Sequence, residues 1–352
     1  MSGSYSSGKN QGVKRKVLIT GGSGTVGQAF MQRYRNEFDF VNVCRNQTHD
    51  NTTHPGAQKA DFYEADVRQL DELTDLFKAV KPDIVVHAAA LKHVNVAEMN
   101  PSQTVEINIM GSLNVAKASL AAKVPVVVGV STDKACQPEN IYGYSKKILE
   151  QIFLEQYCST TRLVCVRFAN VACSQGSVIP YWIEAARRGE RLKLTDSRMN
   201  RLMFTHDEAT QLIRDAVDYA EKSTESFVLC RSMKSVSMLD LANLISDEFG
   251  NSQRPRIVGI RPGERLNETL ISQPELAVSS VQADGANIFL HNNQFGSTRL
   301  SKPLSSLTAE YMSDDEMRFL YKTYVQEHAS EHNAYLDRIT ANPAQDDLTA
   351  TH

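Results

Sequence analysis

One stretch near the start constrains this chain more than any other: Lys16 to Thr20 (Lys-Val-Leu-Ile-Thr), followed by Gly21-Gly22-Ser23-Gly24-Thr25-Val26-Gly27. A short apolar strand runs into glycines three apart, and helical spacing follows over Thr25 to Tyr34. Glycine permits the tight turn, the close approach of backbone to a pyrophosphate and the close packing of helix on strand, and the helix N-terminus attracts phosphate. Gly21, Ser23, Gly24, Thr25, Val26 and Gly27 therefore read as the cradle of a dinucleotide. The fold expected is α/β, a Rossmann-type doubly wound parallel sheet with a smaller C-terminal substrate-binding α/β domain.

The segments that follow keep alternating. Phe40 to Val43 is a second strand and ends in Cys44-Arg45-Asn46. An acid there would hold the ribose 2′-hydroxyl of NAD, whereas Arg45 suits a 2′-phosphate, so NADP is expected in preference to NAD. A third strand starts at Phe62 and Tyr63 and is expected to end in Asp66-Val67, with the carboxylate near the adenine amino group. Residues 69–80 have helical spacing at Leu70, Leu73, Leu76, Phe77 and Val80. The strand from Pro82 to His87 runs into Ala88-Ala89-Ala90, small enough to let backbone approach a cofactor, and Lys92 and His93 follow at the rim. Residues 101–122 read as one helix. Asn108 in its middle is unfavourable by propensity, so it is expected to hold the backbone of a neighbouring strand.

Val124, Val126, Val127, Val128 and Val130 form a buried strand ending in Ser131-Thr132-Asp133-Lys134. Tyr142 and Lys146 stand four apart on the next helix, Tyr142 to Gln156, and share a face. An ammonium beside a phenol favours the phenolate and lowers a pKa that starts near ~10. Tyr142, helped by Lys146 and Thr132, is thus a candidate base for a hydroxyl.

Beyond Arg162 to Phe168 and Ala169-Asn170-Val171 the alternation weakens. Asp196 to Phe204 reads as an exposed segment carrying Arg201, and Ile260 to Arg265 as a turn-rich loop with Arg261 and Glu264. Such arginines suit a diphosphate, which they grip bidentately. The division expected is a disordered lead (1–13), a mainly NADP-binding domain (14–172), a mainly substrate-binding domain (173–340) with some exchange of elements, and a disordered tail (341–352). A net charge of −3 over 352 residues gives no electrostatic case for nucleic acid or an anionic membrane. No apolar run approaches the ~20 residues of a membrane span, and the start lacks the apolar core of a signal peptide. The six cysteines are scattered and His49 and His54 have no neighbouring ligands, so reduced thiols, no metal and a cytoplasmic location are expected.

These residues in this order resemble the extended short-chain dehydrogenase/reductase superfamily. Within it the chain is similar to the polysaccharide-biosynthesis branch that contains the C5-inverting UDP-N-acetylglucosamine 4,6-dehydratases. The carriers are Thr20 to Gly27, His87 to Val94, Asn108 to Gly111, Ser131 to Ala135, Tyr142 to Lys146, Arg167 to Val171 and Ile260 to Leu266. The family often has His where Asn267 stands, and a small residue where Tyr144 stands. The resemblance implies a sugar-nucleotide substrate, homo-oligomers and a catalytic set of Thr132, Asp133, Lys134, Tyr142 and Lys146. It also places Gly21, Ser23, Gly24, Thr25, Val26, Gly27, Arg45, Asp66, Val67, Ala88, Ala89, Ala90, Lys92 and Asn108 at the cofactor, with Tyr142 and Lys146. Lys92, His93, Asn170, Gly176, Ser177, Val178, Arg201, Arg261 and Glu264 would face the substrate. Lys134 would take the C5 proton and Asp133 protonate the leaving C6 hydroxyl. An epimerase or ketoreductase on the same fold, or a cofactor-binding sensor, would dispense with that acid–base pair.

Overall fold

The computed structural model describes residues 14–45, 61–156 and 158–327. The expectations for the lead, the loop with His49 and His54, and the tail lie outside them.

Two compact units interleave along the chain. The first runs through Phe168 and takes up His206–Ser232 and Thr269–Pro303. The second takes Ala169–Thr205, Met233–Glu268 and the chain from Leu304 onward.

The first unit is the Rossmann-type sheet. Its strands and helices are β1 (Arg15–Thr20), α1 (Thr25–Tyr34), β2 (Phe38–Cys44), β3 (Asp61–Glu64), α2 (Leu70–Val80) and β4 (Ile84–His87). They continue with α3 (Val94–Met99), α4 (Pro101–Thr104), α5 (Gly111–Ala121), β5 (Val126–Thr132), α6 (Ile141–Glu155) and β6 (Arg162–Phe168). The nine strands lie in the order Ser279–Val281, Asn287–Leu290, Val228–Arg231, β6, β5, β4, β1, β2, β3. From β1 through β6 every pairing is parallel. A parallel sheet is covered on both faces, which is why these strands read as unbroken apolar runs instead of alternating ones. Val17, Leu18 and Ile19 of β1 and Val126, Val127 and Val128 of β5 are all buried, each contributing about 1.5–3 kcal/mol of burial. After β1 the chain builds β2 and β3 to one side and β4 to the other, so the strand order reverses between β1 and β4. Ligands of open sheets bind at such a reversal.

Two elements and one side chain depart from the sequence reading. The third strand stops at Glu64, leaving Asp66 and Val67 in the turn beyond it. The expected single helix over 101–122 is α4, a π-turn at Val105–Met110 and α5, preceded by α3. The π-turn widens the backbone where Asn108 sits, and its side chain serves a loop instead of a strand. Asn108 Oδ1 accepts from Leu91 N at 2.8 Å, and Nδ2 donates to Leu91 O at 3.1 Å and Ser145 Oγ at 3.0 Å. One amide thus ties the loop after β4 to α6.

The second unit has a small sheet of Ser235–Ser237, Asn200–Phe204 and Asn170–Val171, and a strand pair of Arg256–Ile257 with Lys193–Leu194. Its core gathers Trp182, Ile183, Leu192, Met203, Leu241, Ile245 and Tyr321 from the helices Val178–Arg187, Met238–Glu248 and Asp314–Glu327 and the segments beside them.

Candidate active site

The glycines first show what the crevice after β1 is shaped to hold. Gly21 has φ +72°, and a Cβ there would lie 2.7 Å from Ala89 Cα and N. A Cβ on Gly27 would lie 2.6 Å from Gly22 Cα. These two positions have no room for a side chain because strand end, loop and helix press together. A Cβ on Gly24 would meet only Gly21 O, at 3.3 Å. Gly24 and Ser23 therefore line the mouth of the turn, directly before the N-terminus of α1, the end of a helix that suits a pyrophosphate. This turn fits a dinucleotide on its own geometry. At the end of β2, Ser23 Oγ and Cys44 Sγ are 2.9 Å apart and Arg45 is exposed. Asp66 is engaged by Arg68: Oδ2 accepts from NH2 at 2.6 Å and Nε at 3.0 Å. Burial alone would raise the Asp66 carboxyl, and the bonds from Arg68 outweigh it and lower its pKa. Lys92 and His93 are exposed on the loop after β4.

The catalytic candidates gather at the C-terminal end of β5. Thr132 closes the strand and Asp133–Ala135 makes one 3₁₀ turn. Asp133 is buried, and its Oδ1 accepts from Thr132 Oγ1 at 2.8 Å and from Lys134 Nζ at 3.2 Å. The Lys134 side chain is 23% exposed while that of Asp133 is 0% exposed, so the amine is the member of the pair that reaches outward. Against this turn sits α6, capped by Asn140, whose Oδ1 accepts from Gly143 N at 2.7 Å. A Cβ on Gly143 would lie 2.4 Å from Lys134 O, so only glycine lets the helix press onto the Asp133–Lys134 turn.

Tyr142 behaves differently from the expectation of a phenol lowered by Lys146. Burial pushes its pKa up to about 12, with Lys134 and a hydrogen bond with Thr132 acting downward and Asp133 acting upward. Lys146 instead donates to Val130 O at 2.8 Å from a buried position, and that burial lowers its own pKa to about 8. The bottom of the site is polar but neutral at His87. It lies fully buried, with Nδ1 2.8 Å from Thr20 Oγ1 and Nε2 3.0 Å from Ser112 Oγ, and burial and Lys146 lower its pKa to about 3.

In the second unit, Asn170 Nδ2 donates to Leu202 O at 3.0 Å and Glu268 Oε2 at 2.8 Å. Arg201 is buried, not exposed as its segment suggested, because strand Asn200–Phe204 carries it inward to Glu268 (3.5 Å) and Glu264 (3.8 Å). Arg261 stays exposed on its loop, where its N donates to Glu264 Oε2 at 3.2 Å. Gly176 takes φ +75°, and Ser177 and Val178 stand at the start of helix Val178–Arg187.

Sequence reasoning gave no role to Glu150, Arg167, Glu268 or Glu275, and quoted His87 without one. The signals were a Glu four residues beyond Lys146 on the same helix face and an Arg inside the apolar strand Leu163 to Phe168.

Fold and site together define an extended short-chain dehydrogenase/reductase, and the chain belongs to the polysaccharide biosynthesis protein family, whose model matches residues 17–288. It is 31% identical over 278 residues to a UDP-glucose 4-epimerase of Rickettsia canadensis (strain McKiel), covering 75% of this chain and 80% of that one. It is 29% identical over 272 residues to an inverting UDP-N-acetylglucosamine 4,6-dehydratase of Campylobacter jejuni, covering 74% and 79%. Its fold is similar to the X-ray structure of Pen from Bacillus thuringiensis, with a TM-score of 0.79, 26% identity and coverage of 88% of this chain and 97% of that chain. The chain is thus an enzyme of the sugar-nucleotide dehydratase and epimerase family. Among the described residues no helix is long and apolar enough to cross a membrane, and no cluster of His, Cys, Asp and Glu is arranged to hold a metal.

Proposed function

We propose that this enzyme removes water from C4–C6 of a UDP-N-acetylhexosamine, UDP-N-acetylglucosamine by preference, to give a 4-keto-6-deoxy sugar nucleotide, using NADP. The observation that carries the reading is the Asp133–Lys134 pair, 3.2 Å apart on the turn that faces Tyr142. A 4-epimerase needs only a base, a cation and a hydroxyl beside the nicotinamide and has no use for a second acid and base.

The Gly21–Gly27 turn would hold the pyrophosphate of the dinucleotide, which when bound would supply the hydride acceptor for C4 and the hydride donor for C6. The remaining steps belong to this chain. Tyr142 takes the proton of the 4-hydroxyl, with the Lys134 charge supporting the phenolate against the burial that otherwise disfavours it. The new 4-ketone makes the C5 proton acidic; Lys134 passes its ammonium proton to Asp133 Oδ1, 3.2 Å away, and the neutral amine, the outward member of the pair, removes the C5 proton. Asp133 gives a proton to the C6 hydroxyl, which departs as water. Reprotonation of C5 from the opposite face would invert that centre. Asp133 is buried, and Lys134 Nζ donates to its Oδ1 at 3.2 Å.

Arg45 at the end of β2 supports NADP over NAD. By the family resemblance, Arg201, Arg261, Glu264, Asn170, Gly176 and Ser177 are candidates for the nucleotide half of a substrate, and Val178, Lys92 and His93 are further substrate-binding candidates. Met99, Val105, Met110, Tyr144 and Ile148 are exposed on α3, the π-turn and α6, which supports a homo-oligomer.

The UDP-glucose 4-epimerase names among the relatives favour a second reading, epimerisation at C4 alone. Incubation with UDP-N-acetylglucosamine and NADP⁺ in D₂O, followed by proton NMR, separates the two. A new C6 methyl with deuterium at C5 is the expected result. A 4-epimer with C6 unchanged would overturn the dehydratase reading.

A further inference from the structure

Under the catalytic turn lies a buried ionic group that the chemistry above does not use. Arg167 of β6 is fully buried and grips Glu150 of α6 bidentately, Nε to Oε1 at 2.8 Å and NH2 to Oε2 at 2.7 Å. It also donates to Glu275, NH1 to Oε2 at 3.1 Å and NH2 to Oε1 at 2.9 Å, and to Leu270 O at 2.8 Å. Lys147 lies 3.7 Å from Glu150 and 3.4 Å from Glu275, so two acids face two cations.

What matters is where each carboxylate sends its remaining oxygen lone pairs. Glu150 Oε1 accepts from Ser131 Oγ at 2.7 Å, directly before Thr132. Glu275 Oε2 accepts from Cys136 Sγ at 3.1 Å, directly after the Asp133–Ala135 turn, and from Ser272 N and Oγ at 3.0 Å. The segment Ser131–Cys136 is therefore fastened at both ends to one guanidinium through two carboxylates, and Thr132, Asp133 and Lys134 lie between the fastenings. Ser131 and Arg167 are also direct partners in the β5–β6 register. Glu150 stands four residues beyond Lys146 and eight beyond Tyr142, so the same device holds α6.

Burying an ion pair such as Arg167–Glu150 rarely adds net stability over a packed apolar cluster, because desolvation offsets the attraction. We propose that Arg167, Glu150 and Glu275 are positioning residues that set the height of the Asp133–Lys134 pair against Tyr142. This rests on the dehydratase reading for its kinetic consequence, and on the hydrogen bonds alone for its structural one. A displacement of about 1 Å at reacting groups costs up to ~10²-fold in rate, while substrate and cofactor contacts elsewhere are unaffected.

The test is Glu275→Gln in the full chain, with Cys136→Ala as a milder variant that removes only the thiol link. Amide exchange by mass spectrometry is expected to speed up over Ser131–Cys136 in both, with β1 and β4 unchanged. The kcat for methyl formation from UDP-N-acetylglucosamine is expected to fall about tenfold in Glu275→Gln and about threefold in Cys136→Ala, at unchanged KM. Unaltered exchange over Ser131–Cys136, or faster exchange spread evenly through the first unit, would overturn the proposal. So would a rise in KM at full kcat. If the wild-type enzyme forms no methyl product, the dehydratase reading fails, and the exchange pattern alone decides on the fastening.

Discussion

The turns after β1 and β5, candidate cofactor and catalytic sites of the same sheet, are built on opposite terms. After β1 the structure works by subtraction: Gly21 and Gly27 are there because a single Cβ would strike Ala89 or Gly22 at 2.6–2.7 Å. After β5 it works by burial of ionisable groups: Asp133, Lys146, Glu150 and Arg167 are all nearly inaccessible to solvent. Shape and backbone dipoles suffice to hold a ligand common to many enzymes. Moving protons requires groups whose charge state the surroundings set. The difference teaches that damage to the first end should appear as lost affinity, and damage to the second as lost turnover.

Lys134→Ala should give the largest effect. Methyl formation is expected to fall about 10³-fold, the usual scale for removing a general base, with cofactor affinity intact. Proton NMR of product and a fluorescence titration with NADP⁺ read the two quantities. An equal loss of affinity would break the contrast drawn here.

Gly21→Ala tests the other end. Its left-handed φ of +72° and the 2.7 Å approach to Ala89 give a strain of about 1–3 kcal/mol. A lower Tm and a loss of NADP⁺ affinity of about 10²-fold are expected. Retained affinity would show that the turn yields more easily than its packing indicates.

The buried amine of Lys146 gives a pH signature that the glycine turn lacks. Burial lowers its pKa from 10.5 to about 8. Between those values the unfolded chain holds a proton that the folded chain has released, so stability rises with pH across that window. Below about pH 8 both states are protonated and the folded one carries the whole cost of a buried ammonium. Lys146→Met should therefore gain stability over the wild type below about pH 8 and lose that advantage by about pH 10.5, a change of about 3 kcal/mol. Urea unfolding of both proteins at the two ends of the window measures it. A pH-independent difference would mean that burial leaves the Lys146 pKa where it stands in the unfolded chain.

The smallest effect is expected at Arg45. Arg45→Ala should weaken NADP⁺ about tenfold, the scale of one charged hydrogen bond, and leave NAD⁺ unchanged. Equal affinities before and after would remove the case for the 2′-phosphate.

Much of this protein could be read without coordinates. The Gly21–Gly27 turn, the strand ending at Thr132 and the Tyr142–Lys146 helix are local features, because turn geometry and helical spacing depend on residues a few positions apart. The resemblance to the polysaccharide biosynthesis family rests on the same short motifs and holds over residues 17–288. Tertiary structure decided which charge faces which. That Lys146 donates to Val130 O, that Arg201 turns inward to Glu264 and Glu268, and that Glu275 closes on Arg167 from 108 residues away are outcomes of packing. No short pattern encodes them, since the energy of a buried charge depends on everything around it and on very little beside it in the chain.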